Sequence, residues 1–116
     1  MSIERQNEIL PELREAVSAF LYPLKTTRVV KKEAFARLES IVAEATRICK
    51  ADDLLSKTLL AEVFITTRSI EPEEEYVAVG DRAALRTMRE KLEVLFYLLI
   101  DGESLDDRVP GVPRVL

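Results

Sequence analysis

The residues of this 116-residue chain best suited to chemistry are its carboxylates, and they occur in two patterns. One is a pair spaced three apart: Glu12 with Glu15, Glu90 with Glu93, and Glu103 with Asp106. Side chains three apart project to one side of a helix, where two carboxylates can share a divalent cation such as Mg²⁺. The other is a run, Glu71, Glu73, Glu74 and Glu75, that closes on Tyr76. An acidic loop carrying an aromatic ring suits a basic partner, because charge steers the encounter and a buried ring holds it. What is missing narrows the choice. With no His there is no Ser-His or Cys-His nucleophile system, and the commonest metal ligand is absent. Cys49 is alone, which excludes an intrachain disulfide and a thiolate zinc site, and its place in an apolar stripe reads as a buried structural thiol. No Gly-rich phosphate loop occurs.

Helices must position these groups. The dominant stretch is Asp81 to Asp101, where Leu85, Met88, Leu92, Leu95 and Leu99 recur at steps of 3 and 4. Asp81 is placed to cap it and Gly102 to end it. From Val94 to Ile100 the stretch is apolar all round apart from the Tyr97 hydroxyl, so protein must surround it, either this chain or a second copy. A first helix, starting near Ser2 or Pro11 and ending about Tyr22, carries Leu10, Leu13, Val17, Phe20 and Leu24; any helix from Ser2 must kink or restart at Pro11, and Pro23 stops the element. A second, about Lys32 to Ala51, carries Phe35, Leu38, Val42, Ala45 and Cys49, with Glu33 and Arg37 spaced to pair. Asp52 or Asp53 then caps a third, running to about Ser69, and the short connection predicts a hairpin between the second and third helices. The third helix has a narrow polar stripe, Thr58, Glu62, Thr66 and Ser69, which predicts that its other directions are enclosed. Glu62 marks the exposed edge of that helix.

Together these elements predict an all-α, antiparallel four-helix bundle as one domain, with the acidic loop before the last helix and a Pro- and Gly-containing non-helical segment from Glu103 to Leu116. That segment is either frayed or lies along the bundle through Val109, Val112 and Val115. Seventeen basic against 21 acidic residues give a net charge of -4, which disfavours a general nucleic-acid binder. No apolar run approaches a membrane span, and nothing resembles a signal peptide, so the expected setting is the cytoplasm.

The function expected on these grounds is non-enzymatic: a small regulatory or toxin-neutralising protein, immunity- or antitoxin-like, that engages another protein through Glu71, Glu73, Glu74, Glu75 and Tyr76, with no cofactor. Small acidic helical inhibitors of basic nucleases work by the same physics. Val94 and Leu98, on a flank of the last helix, are the expected homodimer contact. The alternative is an Mg-dependent, all-α nucleotide pyrophosphohydrolase, since such enzymes hold Mg²⁺ with bundle carboxylates three apart; here Glu90 and Glu93 would be the ligands. Against it, Glu90 and Glu93 fall outside the apolar stripe where ligands should point inward, and so do Glu12 and Glu15, while Glu103 and Asp106 lie beyond Gly102. A third reading takes the connector 24–32, with Lys25, Arg28, Lys31 and Lys32 and no acid, as a nucleic-acid contact; such a run more often is solvated or pairs with a nearby acidic surface.

Overall fold

The computed structural model describes residues 3–107; Ser2 and the segment carrying Val109, Val112 and Val115 lie outside the described residues. The described chain contains helices and no strand: α1 (Ile3–Asn7), α2 (Leu10–Thr26), α3 (Lys32–Ile48), α4 (Lys57–Ile70) and α5 (Arg82–Asp101), with single 3₁₀ turns at Glu71–Glu73, Val79–Asp81 and Leu105–Asp107. The four long helices form the all-α bundle that the 3-4 spacing predicts. Leu13, Phe20 and Leu24 of α2, Phe35, Leu38 and Val42 of α3, Leu59, Val63 and Ile70 of α4, and Leu85, Leu92, Leu95 and Leu99 of α5 meet in its core.

Helix ends follow local chemistry, with three departures from expectation. The restart before Pro11 occurs, with α1 ending at Asn7 and α2 beginning at Leu10. Pro23, however, does not stop α2, which continues to Thr26. A proline lacks one N–H, but only a single turn follows it, and that turn is secured elsewhere. The backbone N–H groups of Thr27 and Val29 donate to the Pro23 carbonyl at 3.0 and 3.2 Å, and Leu24 is wholly buried. Nor do Asp52 or Asp53 cap α4. Ser56 does, its Oγ accepting from the Leu59 N–H at 3.1 Å. Asp81 stands at the start of α5 without a side-chain capping bond, because a 3₁₀ turn already leads into the helix. Gly102 does end α5 in the left-handed conformation (φ 72°), and the Glu103 N–H closes on the Leu98 carbonyl at 3.1 Å.

The largest departure is in helix order. α2 packs on α3 and α4 on α5, but α3 lies beside α5 and α4 beside α2, so α3 and α4 stand diagonally and form no hairpin. The connection between them is the eight residues from Cys49 to Ser56, long enough to cross the end of the bundle. Hydrogen bonds identify that end. Gln6, 1 % exposed, donates through Nε2 to Asp52 Oδ2 (3.0 Å) and to the Leu54 carbonyl (2.9 Å), and its Oε1 accepts from the Ser56 N–H (2.7 Å). Ala51, itself in the left-handed region, donates its N–H to the Gly102 carbonyl at 2.9 Å. The turn after α5 is tied to α3 by Arg47–Asp106 and by the Leu105 N–H on Thr46 Oγ1, and to the connection that follows α3 by Lys50–Asp107. Lys50 and the Ser104 N–H together hold the Asp107 carboxyl below its ordinary range.

This order places α3 along one flank of α5 and α4 along the other. The Phe96 ring meets Phe64 of α4, with centroids 5.5 Å apart. The opposite flank, carrying Leu98, is therefore turned to α3, and Leu98 is 0 % exposed. Leu98 is thus a core residue of the single chain, not the free dimer contact expected from its place off the main stripe; Val94 is half-buried against the core. The enclosure expected for α4 also fails. Phe64 and Ile65 are exposed, whereas Thr66, assigned to the polar stripe, is buried and donates to the Glu62 carbonyl at 2.6 Å.

Candidate functional site

The end of the bundle opposite Gln6 gathers both of the charged segments that the sequence singles out. The α2–α3 connection brings Arg28 against the loop that follows α4. There Arg28 pairs with Glu73, and its guanidinium carbon lies 4.8 Å from the centroid of the Tyr76 ring. Arg28 holds a left-handed backbone (φ 61°), which costs a non-glycine residue about 1 kcal/mol; the ion pair and the cation–π contact offset that cost. The basic connector thus turns its arginine inward to the acidic loop.

The four glutamates divide into two kinds. The Glu73 and Glu74 side chains are only 12 and 13 % exposed and are committed within the chain. Glu74 accepts from Arg89 Nε at 2.6 Å and lies 3.5 Å from Arg86. The Arg89 pKa is raised, chiefly by this hydrogen bond, so the guanidinium stays charged in its recess between Glu74 and Glu93. Glu71 and Glu75 are exposed, and the Glu75 carbonyl accepts from Arg82 at 3.1 Å. Tyr76 is 57 % exposed, while its neighbour Val77 is buried and anchors the loop. Glu71, Pro72, Glu74, Glu75, Arg82 and Arg86 line a groove of about 240 Å³ on this surface. The geometry offers a mixed-charge edge with one protruding ring.

The carboxylate pairs do not converge. Glu12 and Glu15 are exposed on α2, where Glu15 accepts from Arg37 at 3.1 Å across the α2–α3 interface; that is the partner Arg37 finds, rather than Glu33. Glu90 is exposed, and Glu93 accepts from Arg89 at 3.3 Å. Asp106 is engaged by Arg47. Among the described residues no group of three or more His, Cys, Asp or Glu side chains is placed to hold a metal ion. Glu62, at the edge of α4, lies 3.6 Å from Arg14. Cys49 is buried, and burial, with Asp52 nearby, pushes its thiol up to about 11, so it carries no nucleophilic thiolate near neutrality. No described helix is long and apolar enough to cross a membrane.

Two further surfaces stand out. Between α2 and α3 a groove of about 390 Å³ runs past Glu8, Glu12, Glu44 and Arg47 over Ile9 and Ile41. On the outer side of α4 and α5, Phe64, Ile65, Tyr97 and Ile100 are each about half exposed, and a notch of about 110 Å³ opens between Phe64, Phe96 and Tyr97 under Arg68 and Glu93. The apolar surplus of α5 does not by itself single out Tyr97 and Ile100 as the exposed members, and the exposure of Phe64 and Ile65 runs against the expected outward polar stripe of α4.

Comparison of the chain with protein-family models, with curated proteins and with solved structures finds no match.

Proposed function

We propose that this chain is a non-enzymatic binding protein that engages another, basic protein through the loop end of the bundle. The observation that carries the reading is the Tyr76 ring: it is 57 % exposed yet held against Arg28 by a 4.8 Å cation–π contact. An exposed aromatic whose orientation is already fixed loses little freedom when a partner covers it, so more of its burial energy appears as affinity. Glu71 and Glu75 add exposed negative charge on the same loop, while Glu73 and Glu74 hold the loop in shape through Arg28, Arg86 and Arg89. Three of the five residues expected to meet a partner therefore face outward, and two support them.

The roles separate in one experiment. Tagged wild type, Tyr76→Ala and the double variant Glu71→Gln/Glu75→Gln are used to capture partners from native lysate, and the captured protein is then measured by surface plasmon resonance. Tyr76→Ala should speed dissociation at any salt, with a loss on the order of 2 kcal/mol. The glutamate variant should slow association at low salt and match wild type at high salt, where a Debye length of a few ångströms screens the charge. If every captured partner binds all three proteins equally, the loop is not the binding surface.

A further inference from the structure

We infer that the outer face of α4 and α5 is a dimer interface, covered by a second copy of this chain related by a two-fold axis running parallel to the helices. This inference is independent of the loop reading and moves the self-contact away from Leu98. The face is apolar at its centre: Phe64, Ile65, Tyr97 and Ile100 are 48, 62, 55 and 50 % exposed. Those four side chains leave on the order of 400 Å² of apolar surface in one patch, about half of the roughly 800 Å² per partner that a stable interface buries. Ala61, Arg68 and Glu93 around them supply further area.

The charges select a second copy and its orientation. α4 and α5 are antiparallel neighbours, with Phe64 level with Phe96. Arg68 is one turn beyond Phe64, and Glu93 is nearly one turn before Phe96, so both sit at the same height on opposite helices. Arg68 is exposed and makes no ion pair among the described residues, while the Glu93 carboxylate accepts only the 3.3 Å bond from Arg89 and is 41 % exposed. A two-fold axis in the interface plane and parallel to the helices lays α4 of each copy over α5 of the other at unchanged height. Arg68 of each copy then faces Glu93 of the other, twice per dimer. One turn in the opposite direction, the small side chain of Ala61 meets Ile100 of the other copy. The two-fold perpendicular to the helices, also in the plane, lays α4 on α4 and leaves Arg68 over apolar residues. The face is therefore complementary to itself in one orientation.

The test is a charge exchange read by size-exclusion chromatography with multi-angle light scattering. Wild type at roughly 100 µM should be a dimer, and Ile65→Glu should be a monomer with an unchanged circular dichroism spectrum. Arg68→Glu and Glu93→Arg each place like charges together twice, and each should weaken self-association by about tenfold or more. Mixed in equal amounts, these two variants restore both opposite-charge pairs, so the mixture should return to the wild-type dimer affinity. A monomeric wild type at that concentration, a dimer that survives Ile65→Glu, or a mixture no tighter than its separate components would each overturn the inference. Thermal unfolding of the single variants guards against misfolding: because the mixture contains the same chains, its recovery cannot come from a change in fold.

Discussion

The two helical hairpins each join their arms through a pair of phenylalanines at nearly the same separation, 5.4 Å between Phe20 and Phe35 and 5.5 Å between Phe64 and Phe96. In α2 and α3 the pair is buried and edge-on, and the outside of the hairpin is charged, with Arg37 reaching Glu15 and Arg47 reaching Glu44. In α4 and α5 Phe96 rests partly buried against the core while Phe64 is half exposed, and Phe64, Ile65, Tyr97 and Ile100 stand where the first hairpin keeps its charges. One aromatic contact serves the fold, and the other lies on a surface that water covers in the single chain. Ring distance alone does not tell core from interface. What separates them is the side of the helix on which each ring falls relative to its two neighbours.

The contrast is sharpest across a single residue of α5. Leu98→Glu buries a carboxylate between α5 and α3 and should abolish cooperative folding, a loss of about 4 kcal/mol or more seen as collapse of helical circular dichroism. Tyr97→Glu, one position away on the outer face, should leave that signal intact. The phenylalanine pairs come next. Phe20→Ala should cost about 3–5 kcal/mol in urea denaturation, and Phe64→Ala, half exposed already, about 1 kcal/mol measured under dilute, monomeric conditions. Equal costs would break the comparison. The smallest effect belongs to the charged outside of the first hairpin, where Arg37→Ala should change stability by less than about 0.5 kcal/mol, and less still in added salt.

Helix existence was written plainly in the 3-4 spacing, because that spacing reports which side chains of one helix share a face. It does not report which helix covers the face. Leu98 shows the limit: it lies off the main stripe, and only the diagonal placement of α3 and α4 gives that flank of α5 a cover. The α4 threonines show another. Thr66 and Thr67 satisfy their hydroxyls on the Glu62 and Val63 carbonyls at 2.6 and 2.8 Å, so they can be buried while Phe64 and Ile65 face out. Composition reads them the other way round. Of the candidate site, the acidic run and its tyrosine were legible, but the commitment of Glu73 and Glu74 depends on Arg28, Arg86 and Arg89 arriving from elsewhere in the chain. Gln6 gave no signal, since a glutamine among polar residues near the start of a chain looks like solvent-facing surface.

That glutamine also ties the start of α4 to the start of the chain. Its amide holds the Ser56 N–H, and Ser56 in turn holds the Leu59 N–H at the start of α4. The first turn of α4 is thus locked by a side chain 50 residues earlier in sequence. If α1 lifts away, the Ser56 amide loses its acceptor, the connection 49–56 loses its anchor at Leu54, and the α4 cap is released with them. These protons should therefore exchange with solvent together, as one opening unit, on the timescale of α1 departure rather than of global unfolding. A five-residue helix would in this way act as the latch on the bundle, and its detachment would be the first step by which the end of the bundle comes apart.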